Sequence, residues 1–203
     1  MSQAGPDADA STREPAPDRD RLRRAAEEFL LALDVIDDPA MREATARRIA
    51  DAWGEDLLSG YRTDPVALLD PMPVQGSPGL VVVRDIPFTS FCVHHLLPFS
   101  GMAHLAYLPD RQITGLSKLA RMVDALARRL QIQEQLTRQM VRAIDARLEP
   151  RGAGAVVEAD HLCMTARGIR SRGSRVLTSA WCGALEADPA AREGLLGALR
   201  PGR

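Results

Sequence analysis

The chain has 203 residues and a mass of 22.1 kDa, which corresponds to one domain with room for an appended segment. Its hydrophobic fraction of 45% and charged fraction of 26% are typical of a soluble globular protein and exclude a wholly disordered chain. Twenty-six basic and 27 acidic residues give a net charge of −1, which argues against a protein whose main role is to coat nucleic acid.

The composition also indicates where the protein works. No apolar run reaches the roughly 18 residues of a transmembrane helix, and the polar, acidic N-terminus does not resemble a signal peptide. Three cysteines are too few for a disulfide framework and suit a reducing compartment, in which cysteines more often bind metal or react. We therefore expect a cytoplasmic protein with no membrane or nucleic-acid partner.

The N-terminal third is predicted to be a tail followed by helices. Residues 1–19 are rich in proline and acidic residues and are predicted to be disordered, and residues 20–79 are predicted to form a helical region. A first helix begins near Asp20, and a second runs from the Asp38-Pro39 cap to about Leu58. The apolar face of the second helix is expected to contain Met41, Ala44, Ile49, Ala52 and Trp53.

Residues 80–203 are predicted to form an α+β catalytic domain. Strands are expected at 80–83, 102–108, 155–159 and 176–184 because these stretches are rich in residues that favour strands and lie between turn residues. Two helices, at 117–129 and 132–148, separate the first pair of strands from the second, and Pro189 begins a short C-terminal helix. This order favours an antiparallel four-stranded sheet rather than a doubly wound parallel sheet.

Cysteine and histidine are concentrated in two short segments. Cys92 and His95 are separated by two residues, so that one turn brings both onto the same ion, and His161 and Cys163 would share one face of a strand. Two cysteines and one histidine form the ligand set of a catalytic zinc site with one open position; the alternative is that the cysteines are simply buried. His104 and Cys182 are interpreted as packing residues.

A second group of residues suits an anion. Gly115 leads into a helix whose first turns contain Ser117, Arg121 and the chain's only lysine, Lys118, which is the pattern of a phosphate site. The alternative is an ordinary cap formed by Ser117, with solvated charges. Further on, Arg167, Arg170, Arg172 and Arg175 form either a solvated loop or a polyphosphate clamp. Glu134 suits the dipole at the start of a helix and would also suit the N1–H and N2–H2 edge of guanine.

These motifs together resemble those of the GTP cyclohydrolase I family. The resemblance covers roughly residues 22–200 and rests on four segments in the same order and at the same spacings. It implies the tunnelling fold, an antiparallel sheet with paired helices on one side, and a toroidal homodecamer of two pentamers with active sites at subunit interfaces. It also implies conversion of GTP and water into 7,8-dihydroneopterin triphosphate and formate, the first step of tetrahydrofolate and pterin biosynthesis. The four segments are FTSFCVHHLLPFSG (88–101), GLSKLAR (115–121), QIQEQLT (131–137) and HLCMTARGI (161–169).

The resemblance also implies a role for individual residues. It implies that zinc activates the water that attacks C8 of guanine, that His94 and His161 transfer protons, and that Glu134 recognises guanine with Gln133 beside it. The implied zinc ligands are Cys92, His95 and Cys163. The implied phosphate-binding residues are Ser117, Lys118, Arg121, Arg167 and, in a weaker match, Arg48.

Several positions depart from the family pattern. Val93 replaces the usual glutamate beside the first cysteine, Pro78-Gly79-Leu80 replaces an acidic stretch, and Thr45-Ala46 replaces Thr-Pro. The stretch after Arg175 also has fewer threonines than is usual. These changes motivate an alternative hypothesis, a diverged tunnelling-fold enzyme acting on GTP or another purine or pterin in a secondary pathway such as deazapurine synthesis. A non-catalytic protein with a structural zinc is a third hypothesis, disfavoured because both candidate acid–base histidines are present.

Overall fold

The computed structural model describes residues 17–76 and 78–199, in two compact units, Met1–Asp56 and Leu57–Arg203. Most of the predicted tail at 1–19 lies outside the described residues. Among the described helices, none combines the length and the apolar character needed to cross a bilayer. The assignment of 20–79 and 80–203 to separate regions stays a prediction.

Two capped helices form the N-terminal unit. Asp18 caps α1 (Arg19–Leu33) and Asp38 caps α2 (Pro39–Asp51), each by accepting a hydrogen bond from a backbone N–H of the first turn. The chain then continues as a π-helical segment, Ala52–Leu57, and a 3-10 turn, Ser59–Arg62. The regular α-helix therefore ends before the predicted limit at Leu58.

The face predicted for the second helix is partly wrong. Met41 is 58% exposed, and the residues that α2 buries most deeply are Ala46 and Ala50. Ala46 packs in one cluster with Ala26 and Leu30 of α1. The contact between α1 and α2 therefore includes the small side chain of Ala46 and does not include the larger Met41.

The second unit contains two sheets. The first is a small antiparallel pair, β1 (Pro71–Pro73) with β4 (Gln112–Thr114). The strands of the main sheet are β2 (Val81–Cys92), β3 (Pro98–Leu108), β5 (Leu130–Gln131), β6 (Gly152–His161) and β7 (Val176–Cys182). Their order in the sheet is β5-β2-β3-β6-β7, and all neighbours are antiparallel except the two-residue β5, which runs parallel to the end of β2.

Both long helices cover one face of the main sheet. The buried side chains of α3 (Leu116–Ala127) and α4 (Gln133–Leu148) join those of β2, β3 and β6 in a single apolar core. At one end of the opposite face, α6 (Gly183–Ala187) and α7 (Pro189–Leu199) pack on Ala106 and Trp181. The α+β class and the antiparallel sheet are confirmed, and the architecture fits the tunnelling fold implied by the resemblance. Strands β1, β4 and β5 were not predicted from the sequence. Of the four predicted strands, all except β7 are longer in the structure than predicted.

A bulge lets β2 continue for 12 residues. The register between β2 and β3 shifts between Val83 and Ile86, and Asp85 takes a left-handed conformation with φ of 59°. The backbone N–H of Asp85 donates to Nδ1 of His104, 3.1 Å away. His104 is 7% exposed, which confirms that it is a packing residue. The imidazole ring of His104 thus provides the hydrogen-bond acceptor for the Asp85 N–H group at the bulge.

This bulge makes a pH-dependent contribution to stability. Burial, the largest effect, lowers the pKa of His104; Asp85 and Glu158 oppose the shift, and Arg84 adds to it. Because the unfolded imidazole titrates near 6.5, the stabilisation is complete above that pH and is lost as pH falls toward the lower folded value. We expect the free energy of unfolding to decrease below about pH 6.5.

His104→Asn isolates this contribution, because the asparagine amide oxygen can accept the Asp85 N–H without titrating. Urea unfolding of both proteins between pH 5 and 8 measures it. The variant is expected to be less stable at pH 8, because ring atoms are lost, and to show a shallower decrease in stability below pH 6.5. Parallel pH dependence in the two proteins would contradict the assignment.

Gly101 allows β3 to approach β6 closely. A Cβ built at Gly101 would overlap the backbone carbonyl of Glu158 and lie 2.7 Å from Cα of Ala159. Because both neighbours are backbone atoms of a buried ladder, Gly101→Ala is expected to destabilise the protein by about 3 kcal/mol or more. Gly79→Ala is the control, since no atom lies within 4 Å of its Cβ position. Thermal unfolding of both variants measures the difference, and equal effects would contradict the prediction.

Candidate metal centre and active site

A tight turn between β2 and β3 brings two candidate metal ligands together, the thiol of Cys92 and the imidazole of His95. Cys92 ends β2, and its backbone carbonyl accepts hydrogen bonds from the N–H groups of His95 and Leu96, at 3.3 and 2.8 Å. Leu96 takes a left-handed conformation, with φ of 55°, which turns the chain back toward β3. As a result, Nδ1 of His95 lies 3.9 Å from Sγ of Cys92.

The third ligand comes from the end of β6. Antiparallel pairing aligns Phe99 of β3 with His161, the last residue of β6, beside the turn that carries Cys92. Cys163 follows within the helical turn α5 (Leu162–Thr165), so the expectation that His161 and Cys163 share a face of a strand is wrong. The strand ends at His161, and the helical turn directs the thiol back toward Cys92.

Cys92, His95 and Cys163 form one cluster, hereafter the Cys–His–Cys cluster, whose ligand atoms all lie within 4.8 Å of one another. Donor atoms around a tetrahedral zinc are roughly 3.5–3.8 Å apart, given Zn–S and Zn–N bonds of ~2.3 and ~2.0 Å. Two thiolates and an imidazole are also the soft and borderline donors that zinc prefers. The residues present therefore fit a zinc ion.

Two groups beside the cluster carry protons or charge. Nδ1 of His94 lies 3.6 Å from Sγ of Cys92, and Nη1 of Arg167 lies 2.8 Å from Nε2 of His95. Burial, and then Cys92 beside it, raise the pKa of the Cys163 thiol. A cation at this position would therefore stabilise the thiolate form that metal binding requires.

His161 is held by two neighbours. Its ring stacks on Phe99, with centroids 4.6 Å apart and planes inclined by 5°. Its Nε2 lies 2.6 Å from Oε1 of Gln133. Burial lowers the pKa of His161, and the nearby carboxylates Glu134 and Asp160 partly oppose this shift. Glu134 follows Gln133 in the first turn of α4 and is exposed.

Gln133 is buried, in contrast to the neighbouring Glu134, which is exposed. It was predicted among the substrate-binding residues, but only 2% of it is exposed. Its Nε2 donates to the backbone carbonyls of Val157 and Val176, which belong to β6 and β7. The side chain is thus used within the protein, and it reaches the site only through His161.

The anion-binding candidates on α3 lie apart from the cluster. Gly115, not Ser117, occupies the cap position, so Ser117 is not the helix cap. Nζ of Lys118 lies 4.0 Å from a carboxylate oxygen of Asp70. Among the described residues, no hydrogen bond or ion pair joins Ser117, Lys118 or Arg121 to the Cys–His–Cys cluster.

The geometry of α3 explains this separation. Gln131 pairs with Cys92, and its side-chain amide donates to the carbonyl of Leu126 near the end of α3. Ser117 precedes Leu126 by about nine residues, or ~13 Å of helix. The cluster therefore lies toward the C-terminal end of α3, whereas the cationic residues begin at its N-terminal end.

The remaining predicted arginines are distributed over the molecule. Arg175 pairs with Glu158 and Asp160, at 3.4 and 3.6 Å, on β6. Arg170 is exposed, with a left-handed φ of 49°, and Arg172 is exposed as well. Arg48 is exposed in the last turn of α2, in the N-terminal unit. Of the four arginines at 167–175, only Arg167 contacts the cluster.

Sequence reasoning missed three residues that lie around His161 and Gln133. Phe99 stacks on His161, and the hydroxyls of Thr137 and Thr178 lie 2.6 Å apart beside Gln133. Phe99 precedes the strand predicted at 102–108 and His161 follows the strand predicted at 155–159, so pairing of these two strands would have been the signal for their contact. Nothing in the sequence pattern linked Thr178 on β7 to Thr137 on α4.

Comparison with known proteins identifies the family. Residues 22–200 match the profile of the family described as GTP cyclohydrolase I. GTP cyclohydrolase 1 of Rhodopirellula baltica is 45% identical over 179 residues, covering 88% of this chain and 78% of the relative. GTP cyclohydrolase 1 of Bacillus cytotoxicus is 45% identical over 174 residues, covering 84% and 92%. Among solved structures, the archaeosine synthase QueF-Like aligns with 54% of this chain and 98% of its own, at 20% identity and a TM-score of 0.45. The chain belongs to the GTP cyclohydrolase I family.

Proposed function

We propose that this protein is a zinc-dependent GTP cyclohydrolase I, which hydrolyses the imidazole ring of GTP at C8 to give 7,8-dihydroneopterin triphosphate and formate. The observation that carries the proposal is the convergence of Cys92, His95 and Cys163 beside His94 and His161. These residues come from two segments about 70 residues apart in sequence, and the fold brings them together where strands β2 and β6 end.

Cys92, His95 and Cys163 would hold the zinc ion. Three protein ligands are the number typical of catalytic zinc sites, whereas structural sites usually have four. When bound, zinc supplies Lewis-acid activation of water at neutral pH. Within the described residues, the cluster contains no fourth cysteine, histidine or carboxylate that would close the site.

The histidines and Glu134 act on the purine. His94 and His161 transfer protons during ring opening and the later rearrangement of the ribose, since an imidazole exchanges protons readily near neutral pH. The exposed carboxylate of Glu134 accepts hydrogen bonds from the N1–H and N2–H2 groups of guanine. Glu134 adjoins Gln133, whose side chain contacts His161, and this adjacency supports a purine bound beside Glu134 and His161.

The triphosphate is bound by cations from two copies of the chain. Arg167 contacts the Cys–His–Cys cluster of its own chain, whereas Ser117, Lys118 and Arg121 begin at the far end of α3. This separation supports a site completed by a neighbouring copy, as the family resemblance implies. We propose that the assembly is the decamer of two pentamers, with the N-terminal end of α3 from one copy facing the cluster of another.

Anaerobic incubation of the zinc-loaded protein with GTP tests the proposed activity. We expect release of formate and the absorbance of the pterin product, in equal amounts. A folded, zinc-bound protein that releases neither product would overturn the proposal. A panel of other purine and pterin substrates would then test the diverged-enzyme hypothesis, which Val93 motivates because it lies exposed next to Cys92.

A further inference from the structure

The side-chain amide of Gln133 has only one possible orientation. Its Nε2 lies 3.1 Å from the carbonyl oxygen of Val157 and 3.0 Å from that of Val176. Both oxygens can only accept hydrogen bonds, so the amide nitrogen must face them. A reversed amide would bury its own oxygen against two carbonyls, with no hydrogen atom between them.

Two threonine hydroxyls complete the hydrogen bonding around this amide, whose orientation the two carbonyls already fix. Oγ1 of Thr137 donates to the backbone carbonyl of Gln133 at 2.8 Å, which uses its only hydrogen. Thr178 must therefore donate to Thr137 across their 2.6 Å contact. Oγ1 of Thr178 then presents a lone pair to Nε2 of Gln133, 3.2 Å away, so this nitrogen has three acceptors for its two hydrogens. Every donor in the network has an acceptor, with α4 linked to β6 and β7.

The fixed amide determines which nitrogen of His161 carries a proton. Oε1 of Gln133 faces Nε2 of His161 at 2.6 Å, and an amide oxygen can only accept. Nε2 must therefore bear the hydrogen. A neutral imidazole has one N–H, so Nδ1 presents its lone pair, and no described residue forms a hydrogen bond with Nδ1. Stacking on Phe99 fixes the plane of the ring.

We propose that Gln133 is a positioning residue that holds His161 as its Nε2–H tautomer, so that His161 exchanges protons with the substrate through Nδ1. This inference rests on the proposed function for the identity of the reaction, and it replaces the predicted contact between Gln133 and substrate. The hydrogen bond to Gln133 keeps Nδ1 of His161 unprotonated before the substrate binds. Without this hydrogen bond, His161 would be a mixture of two tautomers.

Nitrogen-15 spectroscopy tests the tautomer directly. The chain has four histidines, so solid-state spectra of the zinc-loaded protein labelled only in histidine are simple, and subtraction of the His161→Asn spectrum identifies the ring. We expect a protonated Nε2 and an unprotonated Nδ1 for His161 in the wild-type protein. A neutral ring protonated on Nδ1 would overturn the proposal, and this measurement needs no folded Gln133 variant.

Gln133→Met removes the acceptor and keeps the length of the side chain. We expect His161 to become a mixture of tautomers and kcat for formate release to decrease about tenfold to a hundredfold, with KM for GTP changed less than about twofold. Thr178→Val is the matched control, because it breaks the same network but leaves the hydrogen bond from His161 to Gln133. It is expected to lower thermal stability while preserving the tautomer and kcat.

The outcomes separate this inference from the proposed function. A wild-type protein that releases no formate from GTP overturns the function, and the tautomer measurement is unaffected. Unchanged tautomer and kcat in Gln133→Met overturn the positioning role while the function stands. Equal decreases of kcat in Gln133→Met and Thr178→Val, with the tautomer preserved in both, would assign the network a purely structural role and would also overturn it.

Discussion

Cys163→Ser is expected to abolish zinc binding and to decrease formate release from GTP at least about a hundredfold. The substitution removes one of three protein ligands, and a serine hydroxyl is a far weaker zinc ligand than a thiolate. Because Cys163 lies in a short helical turn with its side chain only partly buried, the fold is expected to survive the change. Metal analysis and formate release measure the effect.

Cys182→Ser is the matched control for this prediction. Cys182 ends β7, and its Sγ lies 3.6 Å from the carboxylate of Asp145, outside the Cys–His–Cys cluster. The control protein should retain about one zinc per chain and most of its activity. Full zinc content and formate release in Cys163→Ser would show that this residue is not a ligand, and loss of zinc in both variants would indicate that cysteine replacement destabilises the fold.

The sequence predicted the metal cluster because the information was local and chemical. Cys92 and His95 are close enough in sequence for one turn to join them, and the second segment contained the only other nearby pairing of cysteine with histidine. The helical periodicity of α3 and α4 was likewise strong, since each buries an apolar stripe in the same core. Such features depend on spacing, which a sequence displays directly.

The features that the sequence could not predict depend on the conformation and packing of the backbone. β2 reads as a short apolar strand because Arg84, Asp85 and Pro87 interrupt the pattern, yet a bulge at Asp85 carries the strand on to Cys92. The same limitation applies to Gln133. The family resemblance placed Gln133 beside the guanine-recognising Glu134, but the packing of α4 on β6 and β7 buries it.

Two inactive variants are expected to restore activity when they are combined in one oligomer. Lys118→Ala damages the N-terminal end of α3, which is proposed to bind phosphate, and Cys163→Ser damages the Cys–His–Cys cluster. If each site takes its cluster from one copy and its lysine from another, random mixing leaves about one site in four with both groups intact. If one chain supplied both groups, no site in the mixture would be intact.

Coexpression of the two variants with different tags, followed by purification through both tags, provides the mixed oligomer. We expect formate release at about a quarter of the wild-type rate per chain, against less than a hundredth for either variant alone. Arg167→Ala combined with Cys163→Ser is the control. Arg167 contacts His95 of its own chain, so both substitutions damage the same site and should not complement. Recovery in the control, or none in the Lys118→Ala mixture, would refute a site shared between copies, because only a division between the end of α3 and the cluster predicts this asymmetry.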